Sequence, residues 1–225
     1  MSQLEAVHQE KIHSTLSQRS VKGDDLAIFT DIYQPDTNMV IWQRSMSEAL
    51  SLAVRTFVNT STTKQTILAV TPQDTQQKLY DIFGQTDAVT MISHDISQLV
   101  DMFCCLFDQK RVGLRLTILD HAMCPRFHVD RIPCRLVTTY QGIATQWLEH
   151  KDVVRGKLGA GNQGHTDENS GLFDHQNKIQ HLNTGDVALL KGELWDEHQG
   201  AGLVHRSPPL AVGESRLLLT IDFIN

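Results

Sequence analysis

Cys124-Pro125-Arg126-Phe127-His128-Val129-Asp130 is the stretch on which the reading of this chain turns. Side chains of an extended segment alternate between two faces, so the apolar Val129 separates two polar groups, His128 and Asp130, that share one face. An imidazole and a carboxylate side by side are metal-capable. A third candidate, His205, lies far downstream in Gly202-Leu203-Val204-His205-Arg206-Ser207-Pro208. A cation, Arg216, then opens a strand-like run that ends at Ile224.

Two histidines and one carboxylate that leave coordination positions free make up the facial ligand set of non-heme Fe(II) oxygenases. Iron held from one side leaves room for a bidentate 2-oxo acid and for dioxygen. The far carboxylate of that oxo acid needs a cation, which an arginine supplies with two parallel N–H donors. His128, Asp130 and His205 are therefore the candidate metal ligands.

The segments Cys124–Leu148 (CPRFHVDRIPCRLVTTYQGIATQWL), Gly185–Trp195 (GDVALLKGELW), Gly200–Pro209 (GAGLVHRSPP) and Asp31–Arg44 (DIYQPDTNMVIWQR) together resemble the bacterial DUF1826 family. That family carries no activity to transfer. Its layout is in turn similar to the 2-oxoglutarate/Fe(II) oxygenase superfamily. The resemblance implies a double-stranded β-helix, or jelly roll, with Fe(II) and 2-oxoglutarate as cofactors. It also implies Arg216 at the distal carboxylate, with Tyr140 or Thr138 as hydroxyl donors. Fold likeness alone does not establish an activity. One departure bears on the oxo-acid site: many of those enzymes carry Arg-x-Ser after the distal histidine, whereas Leu217-Leu218 follow Arg216 here.

The competing reading is a zinc-binding protein for storage, sensing or delivery. Cys124 and Cys134 flank the His-Asp pair, and zinc favours closed four-coordination by nitrogen and sulfur. Their spacing matches no structural zinc pattern. His121, Cys124, Cys134 and Arg206 are candidates for supporting the ligands. Cys104 and Cys105 fall in a helical pattern and suit small buried apolar roles. Four cysteines in a chain of 225 residues make no disulfide framework.

A length of 225 residues suffices for one large domain with a substantial core, and 40% apolar with 20% charged residues is the balance of an ordinary globule. A net charge of −6 argues against a nucleic-acid surface or an anionic membrane surface as the partner. No apolar run is long enough to span a bilayer and no secretory leader is visible at the N-terminus, so the expected location is cytoplasmic.

Along the chain, residues 1–24 read as a polar arm and 25–225 as a single domain of class α+β. Within it, a mainly helical half (25–112) precedes a β-rich half (113–225), so that N-terminal helices pack on a jelly roll. The spacing predicts helices over Ser45–Val58, Asp74–Phe83 and Ser93–Asp108, with His94 near the start of the last. Short apolar runs occupy Leu26–Phe29 and Met39–Trp42, and Thr66–Val70 reads as a strand or the start of a further helix. Strands follow at Leu114–Leu119, Arg135–Tyr140, Asp186–Leu190, Leu203–His205 and Arg216–Ile224. Residues 154–184 form a long hydrophilic loop, expected over the mouth of the site.

Other features are less informative. Gly159-Ala160-Gly161-Asn162-Gln163-Gly164 spells a dinucleotide-binding pattern, but it lacks the preceding apolar strand and the following helix. His165, His175, His181 and His198 read as solvated loop residues. Ser207 lacks a nucleophile elbow. Trp147 and Trp195 are expected in walls or core.

Overall fold

The computed structural model describes residues 17–195 and 200–224. Residues 1–16 of the expected arm and His198 lie outside these. Among the described residues, ten strands form two sheets. The larger is assembled from β1 (Arg19–Gly23), β2 (Thr37–Trp42), β8 (Val187–Lys191), β5 (Cys134–Gln141), β10 (Arg216–Asp222), β4 (Val112–Leu119) and β3 (Gln65–Val70), in that spatial order. The smaller has β6 (Gln146–Leu148) between β7 (Ile179–His181) and β9 (Val204–Arg206). Apart from the parallel β1–β2 pair, every pairing is antiparallel.

The period-two alternation of the large sheet separates two cores. On one face, Leu114, Leu116, Leu136, Tyr140, Leu189, Leu217, Leu219 and Ile221 pack against three helices. Helix α1 (Glu48–Thr60) is capped by Ser47, whose hydroxyl accepts the Leu50 N–H, and it buries Leu50, Ala53, Val54 and Phe57. Helix α2 (Thr75–Phe83) stops at Gly84, whose φ of +78° suits a residue without a Cβ. Helix α3 (Asp87–Leu106) begins at the Thr86 cap, upstream of the expected Ser93. Val89 and Ile92 simply continue the stripe formed by Ile96, Leu99, Val100 and Phe103. His94 is consequently an exposed mid-helix residue, with Gln76 3.3 Å from its Nδ1.

The opposite face of the large sheet meets the small one. Met39, Ile41, Leu119, Val137, Ala188, Leu190 and Leu218 join Trp147 and Leu203 in a second core between the layers. A third cluster, Phe127, Leu148, Leu172, Phe173 and Val204, lies against the small sheet.

Helical and sheet-forming segments interleave instead of following one another, because β1, β2 and β3 all come from residues 19–70. β2 is buried on both faces, so it reads in sequence as an unbroken apolar run with no period. Residues 154–184 contain short 3-10 turns and β7, and none of them lines the pocket described below. The segment packs against the small sheet through Leu172 and Phe173. No described helix is long and apolar enough to cross a membrane.

Candidate metal centre

The alternation expected of Phe127-His128-Val129-Asp130 is realised. Phe127 and Val129 turn into the third apolar cluster, while His128 and Asp130 turn away from it. A single antiparallel bridge joins His128 to His205, each backbone N–H donating to the other's carbonyl at 3.0 Å. Val204 shares the cluster with Phe127, so its neighbour His205 points to the same side as His128. One ligating atom each from His128, Asp130 and His205 lies within 4.8 Å of the others.

Two glycines allow this approach. A Cβ on Gly192 would stand 2.0 Å from the Ile132 carbonyl and 2.7 Å from that of Asp130, and one on Gly202 would stand 2.4 Å from Val129. The turn after β8 can thus lie directly on the His-x-Asp segment. There the Glu193 N–H donates to the Asp130 carbonyl and the Gly192 N–H to that of Pro133.

Hydrogen bonds orient the rings. Nδ1 of His128 is 2.9 Å from the Arg126 carbonyl, and Nδ1 of His205 is 3.3 Å from that of Leu203. A carbonyl oxygen only accepts, so Nδ1 carries the hydrogen and Nε2 turns inward, as in metal-bound histidines. The Nε2 atoms stand 3.5 and 3.4 Å from the two oxygens of Asp130. Burial would raise the Asp130 carboxyl. Hydrogen bonds from His128 and His205, with the charges of His205 and Arg135, outweigh burial and hold it well below the usual carboxylate range. Hydrogen bonding to Asp130 raises the His128 pKa, against the opposing effect of burial. A second proton on Nε2 and a metal ion would compete for the same lone pair.

Arg135, which the sequence reading passed over, braces this group. It donates to Asp130 at 2.8 Å and, through Nε and Nη2, to both oxygens of Asp222 at 2.7 and 2.8 Å. A second unanticipated brace comes from the long loop. Buried Asp167 accepts the Phe127 N–H at 2.8 Å and meets Arg126 and Arg206. Arg206 also meets Glu168 and Gln146 and lies 4.3 Å from the Phe127 ring centre. It supports the ligand strands from behind.

Two of the three candidate ligands, His128 and His205, line a pocket of about 570 Å³, counted with the solvent at its mouth. Its apolar wall includes Met123, Val137, Leu190 and Leu218. Arg216 lies at this pocket and is only 1% exposed. Its guanidinium donates to Thr139, Thr145 and Ser207 at 2.8–3.3 Å and meets no carboxylate among the described residues. Burial pushes its pKa down to about 10. Removing a cation from water without a counter-charge is costly, and an anionic ligand would relieve that cost.

The structure corrects several expected roles. Tyr140 and Thr138 share the helix-facing side of β5, and the Tyr140 hydroxyl donates to Asp95 at 2.5 Å. The hydroxyl on the pocket side is Thr139, between them. Cys134 is fully buried on the helix-facing side, where burial pushes its thiol pKa up, so it is no ligand here. Cys124 lines the pocket but does not join the ligand cluster. His121 is an exposed residue paired with Asp120 at 2.6 Å, not a support for the ligands.

The comparisons with known proteins give the fold and the family. Among solved structures, the dioxygenase for auxin oxidation from rice matches with a TM-score of 0.52 at 8% identity, over 92% of this chain and 83% of that one. HygX from Streptomyces hygroscopicus with iron bound matches at 0.46 and 10% identity, over 88% and 85% of the two chains. A prolyl-4-hydroxylase from Pseudomonas putida matches at 0.44 and 12%, over 88% and 96%. The rice structure carries the conclusion: this chain has a mixed α+β fold similar to that of an oxygenase. No curated protein matches the sequence. The family described as a protein of unknown function, DUF1826, matches residues 23–222, and the chain belongs to it.

Proposed function

We propose that this protein is an Fe(II)- and 2-oxoglutarate-dependent oxygenase whose two facing sheets form a double-stranded β-helix. The observation that carries the reading is a pairing within one pocket. His128, Asp130 and His205 converge in one cluster, and Arg216, buried and without a carboxylate partner among the described residues, lies at the cavity that His128 and His205 line. A ligand set of two imidazoles and one carboxylate leaves coordination positions open, which suits iron better than a closed zinc site.

His128 and His205 would ligate through Nε2 and Asp130 through a carboxylate oxygen. Iron bound there would supply the redox chemistry that activates dioxygen, with 2-oxoglutarate (giving succinate and carbon dioxide) and a substrate C–H bond (giving an alcohol) each providing two electrons. The protein's own share is placement. Arg216 pairs the distal carboxylate of the oxo acid, with Thr139, Thr145 and Ser207 fixing the guanidinium. Val137, Leu190 and Leu218 keep water from the reacting groups. Arg135 keeps the Asp130 carboxylate turned toward the imidazoles.

The test is succinate formation from 2-oxoglutarate by anaerobically iron-loaded protein on admission of air. The reading expects turnover, slow without the primary substrate, that disappears in Asp130→Ala and in His205→Ala. Iron-loaded protein that neither binds nor consumes 2-oxoglutarate contradicts it.

A further inference from the structure

Five arginines stand at or beside the site, and four have assigned partners. Arg135 is shared by Asp130 and Asp222, Arg126 and Arg206 meet Asp167, and Arg216 sits among three hydroxyls. Arg115 differs. It lines the pocket from β4, half-buried, with no hydrogen bond or ion pair among the described residues. Two positions along the strand, on the same face, is Thr117. That side chain also lines the pocket, is 6% exposed, and has an Oγ1 with no hydrogen-bond partner. A cation and a buried hydroxyl without partners at one cavity wall are a donor pair awaiting an acceptor.

Strand register separates this pair from Arg216. Arg115 lies opposite Thr220 and Thr117 opposite Leu218, whereas Arg216 lies opposite Leu119. Four residues at roughly 3.3 Å each set Arg115 about 13 Å along the sheet from the level of Arg216. The two guanidinium groups are thus anchored at different levels of the sheet. The level next to Arg115 on β10 is that of Asp222, the partner of Arg135, which in turn touches Asp130. Arg115 therefore flanks the ligand end of the pocket. Ile67 of β3 lies opposite Arg115 and is 62% exposed, so this flank of the sheet faces solvent.

We propose that Arg115 and Thr117 form a second anion subsite, which holds the carboxylate of the primary substrate. The substrate class is a small organic acid whose apolar body lies against Met123, Val137, Leu190 and Leu218. The identification of this acid as the substrate rests on the oxygenase reading; the subsite itself does not. Arg115 makes the charged contact and Thr117 adds a hydroxyl donor beside it, so the ester or amide of such an acid loses the anchoring contact.

The test is calorimetric titration of manganese-loaded protein, with and without saturating 2-oxoglutarate. The probes are hexanoate, octanoate and phenylacetate, each set against its uncharged primary amide. The proposal expects at least one acid to bind tenfold or more tightly than its amide. In Arg115→Gln that preference falls below threefold, and Arg115→Lys restores part of it. Thr117→Val weakens the acid by a smaller factor. If no acid is preferred over its amide, or the preference survives Arg115→Gln, the proposal is overturned. It is overturned equally if Arg115→Gln lowers 2-oxoglutarate affinity as much as Arg216→Gln does, since Arg115 would then serve the oxo acid. If 2-oxoglutarate fails to bind the wild-type protein, the oxygenase reading falls, while the acid-against-amide comparison still decides the subsite.

Discussion

His128 and His205, from distant parts of the chain, exchange both of their backbone hydrogen bonds across one isolated bridge. Their ring centres stand 4.6 Å apart. The main chain places the imidazoles, so their convergence is set by strand pairing. Removing one ring should therefore cost metal binding and spare the fold. His205→Ala is expected to weaken Mn(II) binding by about a hundredfold or more, above the range typical of outer-sphere partners. Calorimetry measures the affinity, and an unchanged circular dichroism spectrum checks the fold.

Arg135 is expected to act through Asp130. Arg135→Met leaves two carboxylates, each largely shielded from solvent, without their shared cation. Stability should fall by roughly 2 kcal/mol, less than for a fully buried pair. Mn(II) affinity should fall about 10- to 100-fold, with partial rescue by Arg135→Lys. Loss of stability with unchanged metal affinity would make Arg135 a scaffold residue only.

Adjacent residues on β5 should give opposite phenotypes. Thr139→Val removes an acceptor of Arg216 and is expected to weaken 2-oxoglutarate binding several-fold. Tyr140→Phe removes the hydroxyl bonded to Asp95 on the other face. It should cost about 1–2 kcal/mol in chemical denaturation and leave 2-oxoglutarate affinity unchanged.

Burial holds the Arg216 pKa at about 10, well below the usual arginine range. Below the folded value the buried cation costs about 3 kcal/mol, by the free energy carried by each pKa unit. From about pH 10 upward, until the unfolded arginine also loses its proton, the unfolded chain binds more protons at this residue than the folded one, so this contribution to stability rises with pH. Arg216→Met is therefore expected to melt no lower than the wild type without ligand and to lose the stabilisation that 2-oxoglutarate gives. A Tm well below that of the wild type would show that the hydroxyl contacts outweigh the burial cost.

Much of this site could be read from spacing. Parity put His128 and Asp130 on one face, and the segments around His205 and Arg216 emerged as strands. The same parity, counted from Arg135, reaches Val137 and Thr139; applied strictly, it would have chosen Thr139 over Tyr140 or Thr138. The missed strands have physical reasons. β6 and β7 are three residues long, too short to show a period. Asp167 gave no signal, because a polar residue in a polar loop carries no mark of burial until the Phe127 N–H and two arginines are seen around it.

The most direct measurement is a crystal structure of the protein grown anaerobically with Mn(II) and 2-oxoglutarate. The account predicts one ion held by His128 Nε2, Asp130 and His205 Nε2, chelated by the oxo and adjacent carboxylate oxygens of the ligand. The far carboxylate should lie on Arg216. An ion bound by other side chains, or 2-oxoglutarate lying away from Arg216, would contradict it.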